Sequence, residues 1–247
     1  MAKLNNAELH RYARHIVLKE IGGLGQKELK KAKAAIVGAG GLGVPVLQYL
    51  NSAGVGELKV IDHDVVSLPN LQRQVLFDEA HVGQPKVEVA QQVLEAQNSN
   101  TTLIPIYKEL NAKNALEILK GCDVVIDASD SYDTRRIINR VCIELKQPMI
   151  FGAISQWEGQ LSVLFGQPCF ECLFPVKPQG ELLKTCSEFG VVASLPGVIG
   201  CMMATEVIKL ITSAGAPLRN KLLIMDMLYS ETRIINTFAN PNCNVCC

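Results

Sequence analysis

The first residues that could do chemistry form a glycine-rich segment, Gly-Ala-Gly-Gly-Leu-Gly at positions 38–43. It follows a short apolar run at 34–37 and precedes an apolar stretch with helical spacing, the context in which a GxGxxG pattern predicts nucleotide binding. Glycines allow a sharp turn and bring backbone N–H groups close to phosphate at a helix N-terminus. Asp62, which ends the next apolar run, is placed to accept hydrogen bonds from ribose hydroxyls. A tight turn without a ligand is the alternative, and NAD fits the pattern as well as ATP does.

Charged residues further along the chain help to distinguish these two nucleotides. A nicotinamide pocket is uncharged, whereas an ATP site must neutralise three phosphates during transfer, which requires Arg, Lys and commonly Mg²⁺. Arg73 and Lys86 supply positive charge, although each taken singly is also typical of a solvated surface. Asp127 and Asp130 follow an apolar run at 124–126, where one of them could carry Mg²⁺ or cap the next helix. The charges favour ATP.

Two pairs of cysteines have the spacing of metal-binding knuckles. Cys169 and Cys172 form one CxxC unit, and Cys243 and Cys246 form the other. Four thiolates from two such units make a closed tetrahedral Zn²⁺ site, which would join the end of the chain to its middle. A redox role is the alternative, although neither pair lies at the strand–helix junction of a thioredoxin-like motif. We predict a structural zinc site in which Cys247 is not a ligand.

Cys186 is different because it stands alone in a proline-rich segment at 173–190. A thiol beside Lys184 could be accessible and partly ionised, which would make it a nucleophile, and an incidental loop cysteine is the alternative. The segment is longer than most connections inside compact domains, so we expect a mobile loop over a site. The other three cysteines lie in apolar contexts typical of a core: Cys122, Cys142 and Cys201.

The elements that must position these residues alternate between strands and helices. Apolar runs predict strands at 34–37, 58–61, 103–107, 124–126, 149–153, 160–165 and 221–225. Helical spacing predicts helices at 5–21, 44–53, 112–120, 131–145 and 198–211, and one that starts near Pro85. This order predicts an α/β fold with a Rossmann-like, mostly parallel sheet flanked by helices. The sheet would continue into an antiparallel C-terminal sheet that carries the four-cysteine site.

The composition suits one soluble domain. The chain has 247 residues, of which 48% are hydrophobic, and its formal net charge is zero. We interpret it as a single domain over 1–247, with a nucleotide-binding half at 1–150 and a second half at 151–247. The balanced charge gives no electrostatic reason to expect nucleic acid or a membrane surface as a partner.

The chain shows no targeting segment, so we expect a cytoplasmic protein. Residues 1–14 are polar and charged, without the apolar region of a secretory signal. The longest uncharged apolar stretch, 189–205, is interrupted by proline and glycine. Because a membrane span needs about 20 predominantly apolar residues, we interpret this stretch as a buried loop and helix.

Several longer motifs stand among these residues in a fixed order and span nearly the whole chain. They are Arg11-Tyr12-Ala13-Arg14-His15, the glycines at 38–43, Asp62, Asn70-Leu71-Gln72-Arg73-Gln74, Gln84-Pro85-Lys86, Asp127-Ala128-Ser129-Asp130, the two CxxC units and Thr185-Cys186. In this combination the chain resembles the MoeB, ThiF and HesA proteins. Each motif alone is weak, but the joint pattern is specific.

The resemblance implies an ATP-dependent adenylyltransferase. It would activate the C-terminal glycine of a ubiquitin-like sulfur-carrier protein ending in Gly-Gly, for molybdopterin or thiamine biosynthesis, and release pyrophosphate. Arg73 and Lys86 would bind phosphates, Asp130 would hold Mg²⁺, and the 151–247 half would bind the carrier. The residues that the resemblance assigns to the nucleotide are Gly38, Gly40, Gly41, Gly43, Asp62, Asn70, Arg73, Lys86 and Asp130.

The resemblance also implies partners. The family works as a symmetric homodimer in which Arg14 would reach the phosphates of the neighbouring subunit's site. Cys186 matches a cysteine that takes part in sulfur transfer in ThiF-like members and has no clearly required role in MoeB-like members. The sulfur donor would be a separate protein.

Some positions depart from the family pattern. Pro69 stands where serine is usual, Ser131 where asparagine is usual, and Ala128-Ser129 where Cys-Thr is common. These changes affect hydrogen bonding near the phosphates. Two other classes remain open: an NAD-dependent oxidoreductase, which has no need of Arg73 or Lys86, and a non-catalytic ubiquitin-fold binder, which is expected to lose those charges.

Overall fold

A mixed sheet of eight strands organises the part of the chain that the structure describes. The computed structural model describes residues 3–177 and 190–247. Its strands are β1 (Lys33–Val37), β2 (Glu57–Asp62), β3 (Thr102–Tyr107), β4 (Val124–Asp127), β5 (Met149–Ser155), β6 (Glu158–Leu164), β7 (Lys221–Asp226) and β8 (Glu231–Asn236). Their order across the sheet is β3-β2-β1-β4-β5-β6-β7-β8. Strands β1 to β5 are mutually parallel, whereas each of the pairs β5–β6, β6–β7 and β7–β8 is antiparallel.

Helices cover both faces of this sheet. The α-helices are α1 (Asn6–Arg11), α2 (Ala13–Ile16), α3 (Gly22–Lys31), α4 (Gly43–Ala53), α5 (Lys86–Gln97), α6 (Ala115–Leu119), α7 (Tyr132–Leu145), α8 (Phe170–Leu173) and α9 (Leu195–Thr212). Two 3₁₀ turns lie at Leu68–Asn70 and Glu79–His81. One core packs α3, α4, α5 and α9 against the sheet, and a second core packs α6, α7 and α8 against the other face. Apart from Lys33 at the start of β1 and Asp127 at the end of β4, these two central strands are apolar, because both of their faces are covered.

Helix α9 is the long apolar helix of the second half. It is long and apolar enough to cross a membrane by length and composition. It packs instead against α3, α4, β5 and β6, and Ile199 and Met203 are fully buried there. The contact is so close that a Cβ on Gly152 would lie 2.4 Å from the Met203 sulfur, and one on Gly159 equally close to Ile199. The predicted buried helix is therefore part of the core.

The structure corrects three sequence predictions. The helix predicted at 5–21 is shorter, because Tyr12 divides it into α1 and α2 and α2 ends at Ile16. Helix α3 was not predicted because three of its first four residues are glycines, which are poor helix formers. Strand β8 was missed because all of its side chains are exposed at the sheet edge, so it has no buried face to produce an alternating pattern. The loop predicted at 173–190 falls mostly on residues 178–189, which lie outside the described residues, and so does Cys186.

Candidate active site

The main cavity lies where the strand order reverses. Strands β1 and β4 are neighbours, but the chain leaves them toward opposite edges of the sheet. The crevice at the carboxyl ends of such strands is where open α/β sheets bind ligands. Here it has a volume of about 850 Å³, which falls within the range of nucleotide-sized sites.

The cavity brings together most of the residues singled out in the sequence. Those that line it are Gly38, Gly40, Gly41, Asp62, Asn70, Arg73, Lys86 and Asp130. Three others do not line it. Gly43 is buried behind the loop at the start of α4, Arg14 is exposed on α2, and Asp127 is buried beneath the cavity floor.

The glycines of the 38–43 loop have different physical roles. Gly38 has φ +101° and leaves no room for a Cβ, which would lie 2.7 Å from the Ala128 carbonyl oxygen. A Cβ on Gly43 would lie 1.8 Å from the Gly38 oxygen, so only glycine allows α4 to start this close to the loop. Gly40 faces open space, where its nearest contact would be Gln74 at 3.6 Å. The N-terminus of α4 has no side-chain cap, so its amides remain available to an anion at the cavity.

Asp62 connects the glycine loop to the segment that follows β2. Its Oδ2 accepts from the Ala39 N–H at 2.7 Å, and its Oδ1 accepts from the Asp64 N–H at 2.8 Å. A carboxylate has about four lone-pair positions, so each oxygen can accept a further hydrogen bond, for example from a ribose hydroxyl. The geometry therefore holds Asp62 in a fixed orientation at the cavity wall.

Lys86 has a partner that the sequence analysis missed. Its side chain is 3% exposed, and its Nζ lies 2.9 Å from Oδ2 of Asp64. The Asp64 carboxylate is half-exposed in the cavity and balances the buried ammonium. The Asp-His-Asp sequence at 62–64, with two carboxylates at the end of a strand, is the signal that could have identified Asp64.

Arg73 is oriented by its own turn. The Asn70 side-chain oxygen accepts from its guanidinium at 2.9 Å, and the Pro69 carbonyl oxygen accepts at 3.3 Å. Both partners belong to the 3₁₀ turn just before it in the chain. Asn70 therefore affects the cavity by orienting Arg73. Pro69 departs from the family pattern, but its contact with Arg73 uses the backbone carbonyl, which proline shares with every other residue.

The two aspartates after β4 have separate environments. Asp127 is fully buried, and burial raises its pKa despite the opposing effects of Arg135 and of hydrogen bonds from Ser129. Asp130 is exposed on the cavity wall. Of these two carboxylates, only Asp130 can meet a ligand. Ser131, at the family's asparagine position, caps α7 by accepting from the Thr134 N–H.

The four predicted cysteines form one cluster. Sγ of Cys169 lies 3.9 Å from that of Cys172 and 3.7 Å from that of Cys243, and Sγ of Cys172 lies 3.4 Å from that of Cys246. Tetrahedral Zn–S bonds of about 2.3 Å place sulfurs about 3.8 Å apart, so the cluster has the dimensions of a zinc site. Cys247 lies apart, with its Sγ against the Asn240 carbonyl oxygen.

Thiol chemistry is consistent with a cation at this cluster. Burial raises the pKa of Cys169, whereas at Cys243 burial is outweighed by hydrogen bonds from the backbone N–H groups of Cys246 and Val245 and from the side chains of Cys246 and Cys169, which together lower the pKa to about 7. A cation would allow all four thiolates to form. The first knuckle is also held in place, because Glu171 bonds Arg136 and Arg140 of α7.

Comparison with known proteins agrees with this geometry. The ThiF family model matches residues 12–245. The sulfur carrier protein adenylyltransferase of Thermus thermophilus is 44% identical over 246 residues, which cover 97% of this chain and 91% of that protein. The SAMP-activating enzyme E1 of Haloferax volcanii is 41% identical over 98% of this chain and 90% of its own length.

The chain also matches part of longer relatives and of solved structures. The adenylyltransferase and sulfurtransferase MOCS3 of Anopheles gambiae is 44% identical, and this chain spans 56% of its length. MccB of E. coli, in its crystal structure with ATP, is 29% identical, with a TM-score of 0.84 over 99% of this chain and 75% of that chain. The extent of these matches shows that this chain belongs to the ThiF family.

Proposed function

We propose that this chain is an ATP-dependent adenylyltransferase that activates the C-terminal glycine carboxylate of a ubiquitin-like sulfur-carrier protein. The observation that carries the proposal is one cavity in which a glycine loop, the Asp62 carboxylate and two cationic side chains, Arg73 and Lys86, lie together. Two relatives that match nearly the whole chain are named sulfur carrier protein adenylyltransferase and SAMP-activating enzyme E1.

The cavity is suited to ATP in one orientation. The ribose would lie at Asp62, which already bonds the loop amide of Ala39, and the phosphates would lie over the glycine loop and the N-terminus of α4. Arg73 and Lys86 line the same cavity, where they would face the phosphates. Fixed cations and amides of this kind stabilise charge as it develops, without reorganising at the moment of reaction.

The reaction is displacement at the α-phosphorus. A carboxylate oxygen of the carrier's terminal glycine bonds to that phosphorus, the bond to the bridging oxygen breaks, and pyrophosphate leaves with the bonding electrons. The product is an acyl-adenylate. Because a carboxylate is a poor nucleophile toward a polyanion, neutralising the phosphates and aligning the reactants are the main tasks of the protein.

Asp130 is the residue that would hold Mg²⁺. It is an exposed carboxylate on the cavity wall, and Mg²⁺ is commonly held by one or two carboxylates together with substrate phosphates. The bound ion would supply further neutralisation of phosphate charge. Zn²⁺ at the four-cysteine cluster would be structural, because four protein ligands leave no open position.

The remaining assignments concern partners. Arg14, which is exposed and does not line the cavity of its own chain, would complete the neighbouring site of a homodimer, as the family resemblance implies. A separate protein would donate sulfur, Cys186 would be the residue to test for a covalent step, and the cytoplasm would be the compartment. The pathway, molybdopterin, thiamine or another, depends on which carrier is accepted.

The test is ATP–pyrophosphate exchange with radiolabelled pyrophosphate and a panel of carrier proteins ending in Gly-Gly. Exchange should depend on one carrier and disappear when its terminal glycine is removed. The alternatives give different results: NAD binding without exchange indicates the oxidoreductase, and the absence of both exchange and nucleotide binding indicates a non-catalytic binder.

A further inference from the structure

A buried ion pair lies directly beneath the turn that carries Asp130. Asp127, the last residue of β4, is fully buried, and its Oδ1 accepts from the backbone N–H of Ser129 at 3.1 Å and from the Ser129 hydroxyl at 2.6 Å. Its Oδ2 is buried, has no hydrogen-bond partner among the described residues and lies 3.6 Å from Nε of Arg135. A buried carboxylate requires a counter-charge, and Arg135 supplies it.

Arg135 reaches from α7 to two other elements. Its guanidinium donates to the Ser129 carbonyl oxygen at 2.9 Å and to the Gly152 carbonyl oxygen of β5 at 3.4 Å. The group also lies over the Phe151 ring, 5.2 Å from its centroid. One side chain therefore joins α7, the β4–α7 turn and β5 at the edge of the cavity.

These bonds fix Ser129 at both ends. Asp127 holds its N–H, and Arg135 holds its C=O. The Ser129 carbonyl and the Asp130 nitrogen belong to one planar peptide unit, so fixing that carbonyl also fixes the plane from which Asp130 projects. On the other side, Ser131 is held as the N-cap of α7. Asp130 therefore lies between two residues, Ser129 and Ser131, that hydrogen bonds hold in position.

We infer that Arg135, paired with Asp127, is a positioning residue that sets where the Asp130 carboxylate enters the cavity. The inference rests on the proposed function, because it needs Asp130 to act on the nucleotide. Arg135 is suited to this task because its Nη2 donates to both carbonyl oxygens while its Nε, held in the same plane, faces Asp127. A lysine would retain the charge opposite Asp127 but lose that geometry.

The experiment compares Arg135→Lys with a matched control, Arg140→Lys. Arg140 lies on the same helix and bonds Glu171 instead of the turn. In Arg135→Lys, kcat for ATP–pyrophosphate exchange should fall about ten- to a hundredfold, as expected for a misplaced active-site group. ATP binding measured by calorimetry should change much less, and backbone amides at 128–131 should exchange hydrogen faster. Arg140→Lys should match the wild type in all three measurements.

A double variant separates positioning from general destabilisation. If Arg135 acts through Asp130, Arg135→Lys combined with Asp130→Asn should be no slower than Asp130→Asn alone, whereas independent effects would multiply. Should Arg135→Lys fail to fold, Ser129→Ala removes only the hydroxyl bond to Asp127 and should lower kcat in the same direction. Unchanged kcat in Arg135→Lys, unchanged amide exchange, or multiplying effects would overturn the inference. Loss of exchange in the wild type would instead overturn the proposed function.

Discussion

At the scale of single residues, Lys86 shows how a charge can be buried and still serve a ligand. Its ammonium is screened from water but lies against the half-exposed carboxylate of Asp64 at the cavity. In Lys86→Ala, Asp64 remains hydrated, so the fold should survive. Exchange activity should fall about a hundredfold or more, because one fixed cation is lost from the transition state. Steady-state exchange rates and thermal unfolding test this.

Arg73→Ala should behave in the same way, because its partners at Asn70 and Pro69 are local to one turn. Lys113→Ala is the matched control, since Lys113 is exposed and lies outside the cavity. Full activity in either Arg73→Ala or Lys86→Ala would reject the assignment of these cations to the phosphates.

The glycine loop allows stability and binding to be tested separately. Gly43→Ala would place a Cβ 1.8 Å from a backbone oxygen, so it should destabilise or unfold the protein. Gly40→Ala meets only the flexible end of Gln74, so the melting temperature should stay near that of the wild type while ATP binding weakens. Thermal unfolding and calorimetry with ATP measure the two effects. Equal melting temperatures for the two variants would contradict this division.

The sequence predicted which residues line this cavity but not the contacts that hold those residues in place. The glycine loop, Asp62 and Lys86 each follow a strand or begin a helix, so local patterns place them at one sheet edge. The Asp-His-Asp sequence at 62–64 contained a signal for Asp64 but not for its contact with Lys86, and Arg135 acts through contacts between elements, which no local pattern contains. By residue type and position Asp127 and Asp130 were equivalent, and the family resemblance alone selected Asp130; in the structure, burial separates the two carboxylates.

At the scale of elements, the four-cysteine cluster joins α8 to the segment after β8. Metal analysis should find about one Zn²⁺ per chain. Cys243→Ser should lose the metal and lower the melting temperature, because the C-terminal segment is then released. Cys247→Ser is the control, since Cys247 lies outside the cluster, and it should keep both metal and stability. Metal-free wild-type protein with unchanged stability would reject the structural site.

Helix α1 is attached to α3 by Glu8, which is almost completely buried. Burial raises its pKa, but the bonds from Lys30 Nζ, at 2.7 Å, and from the Asn5 N–H outweigh it and hold the pKa below the ordinary value. A lowered pKa contributes stability that is complete above the unfolded value and is lost as pH falls through the folded value. Glu8→Gln should therefore lower the free energy of unfolding at pH 7.

That difference should shrink as the pH falls below about 4, where the wild-type carboxylate becomes protonated as well. Denaturant titrations of both proteins across pH measure it. A difference that does not vary with pH would show that packing of Glu8, not its charge, is what matters.

Element prediction succeeded where burial produced a pattern. Strands β1 and β4 and helices α4 and α7 were predicted to within about two residues at each end, because their apolar positions follow from the faces that they bury. Helix α3 and strand β8 were missed, because glycine-rich and fully exposed sequences are stabilised by neighbours rather than by local propensity.

At the scale of the whole molecule, Arg14 provides a test of the proposed homodimer. It is exposed on α2, away from its own cavity. If it serves the neighbouring site, chains with Arg14→Ala and chains with Lys86→Ala should each be inactive. Mixed after brief dissociation, they should recover about a quarter of the wild-type exchange activity, because half of the random dimers contain one intact site. No recovery, with mixed dimers verified by mass, would place Arg14 in its own site.

The packing of α9 has a consequence for synthesis on the ribosome. This helix covers α4 and contacts β5, yet it is made long after both of them. Translation proceeds at about 5–20 residues per second, so the emerging nucleotide half must wait for seconds with an apolar face uncovered. We therefore expect nascent chains arrested before residue 195 to be protease-sensitive and to recruit chaperones, and chains extended past residue 212 to become resistant.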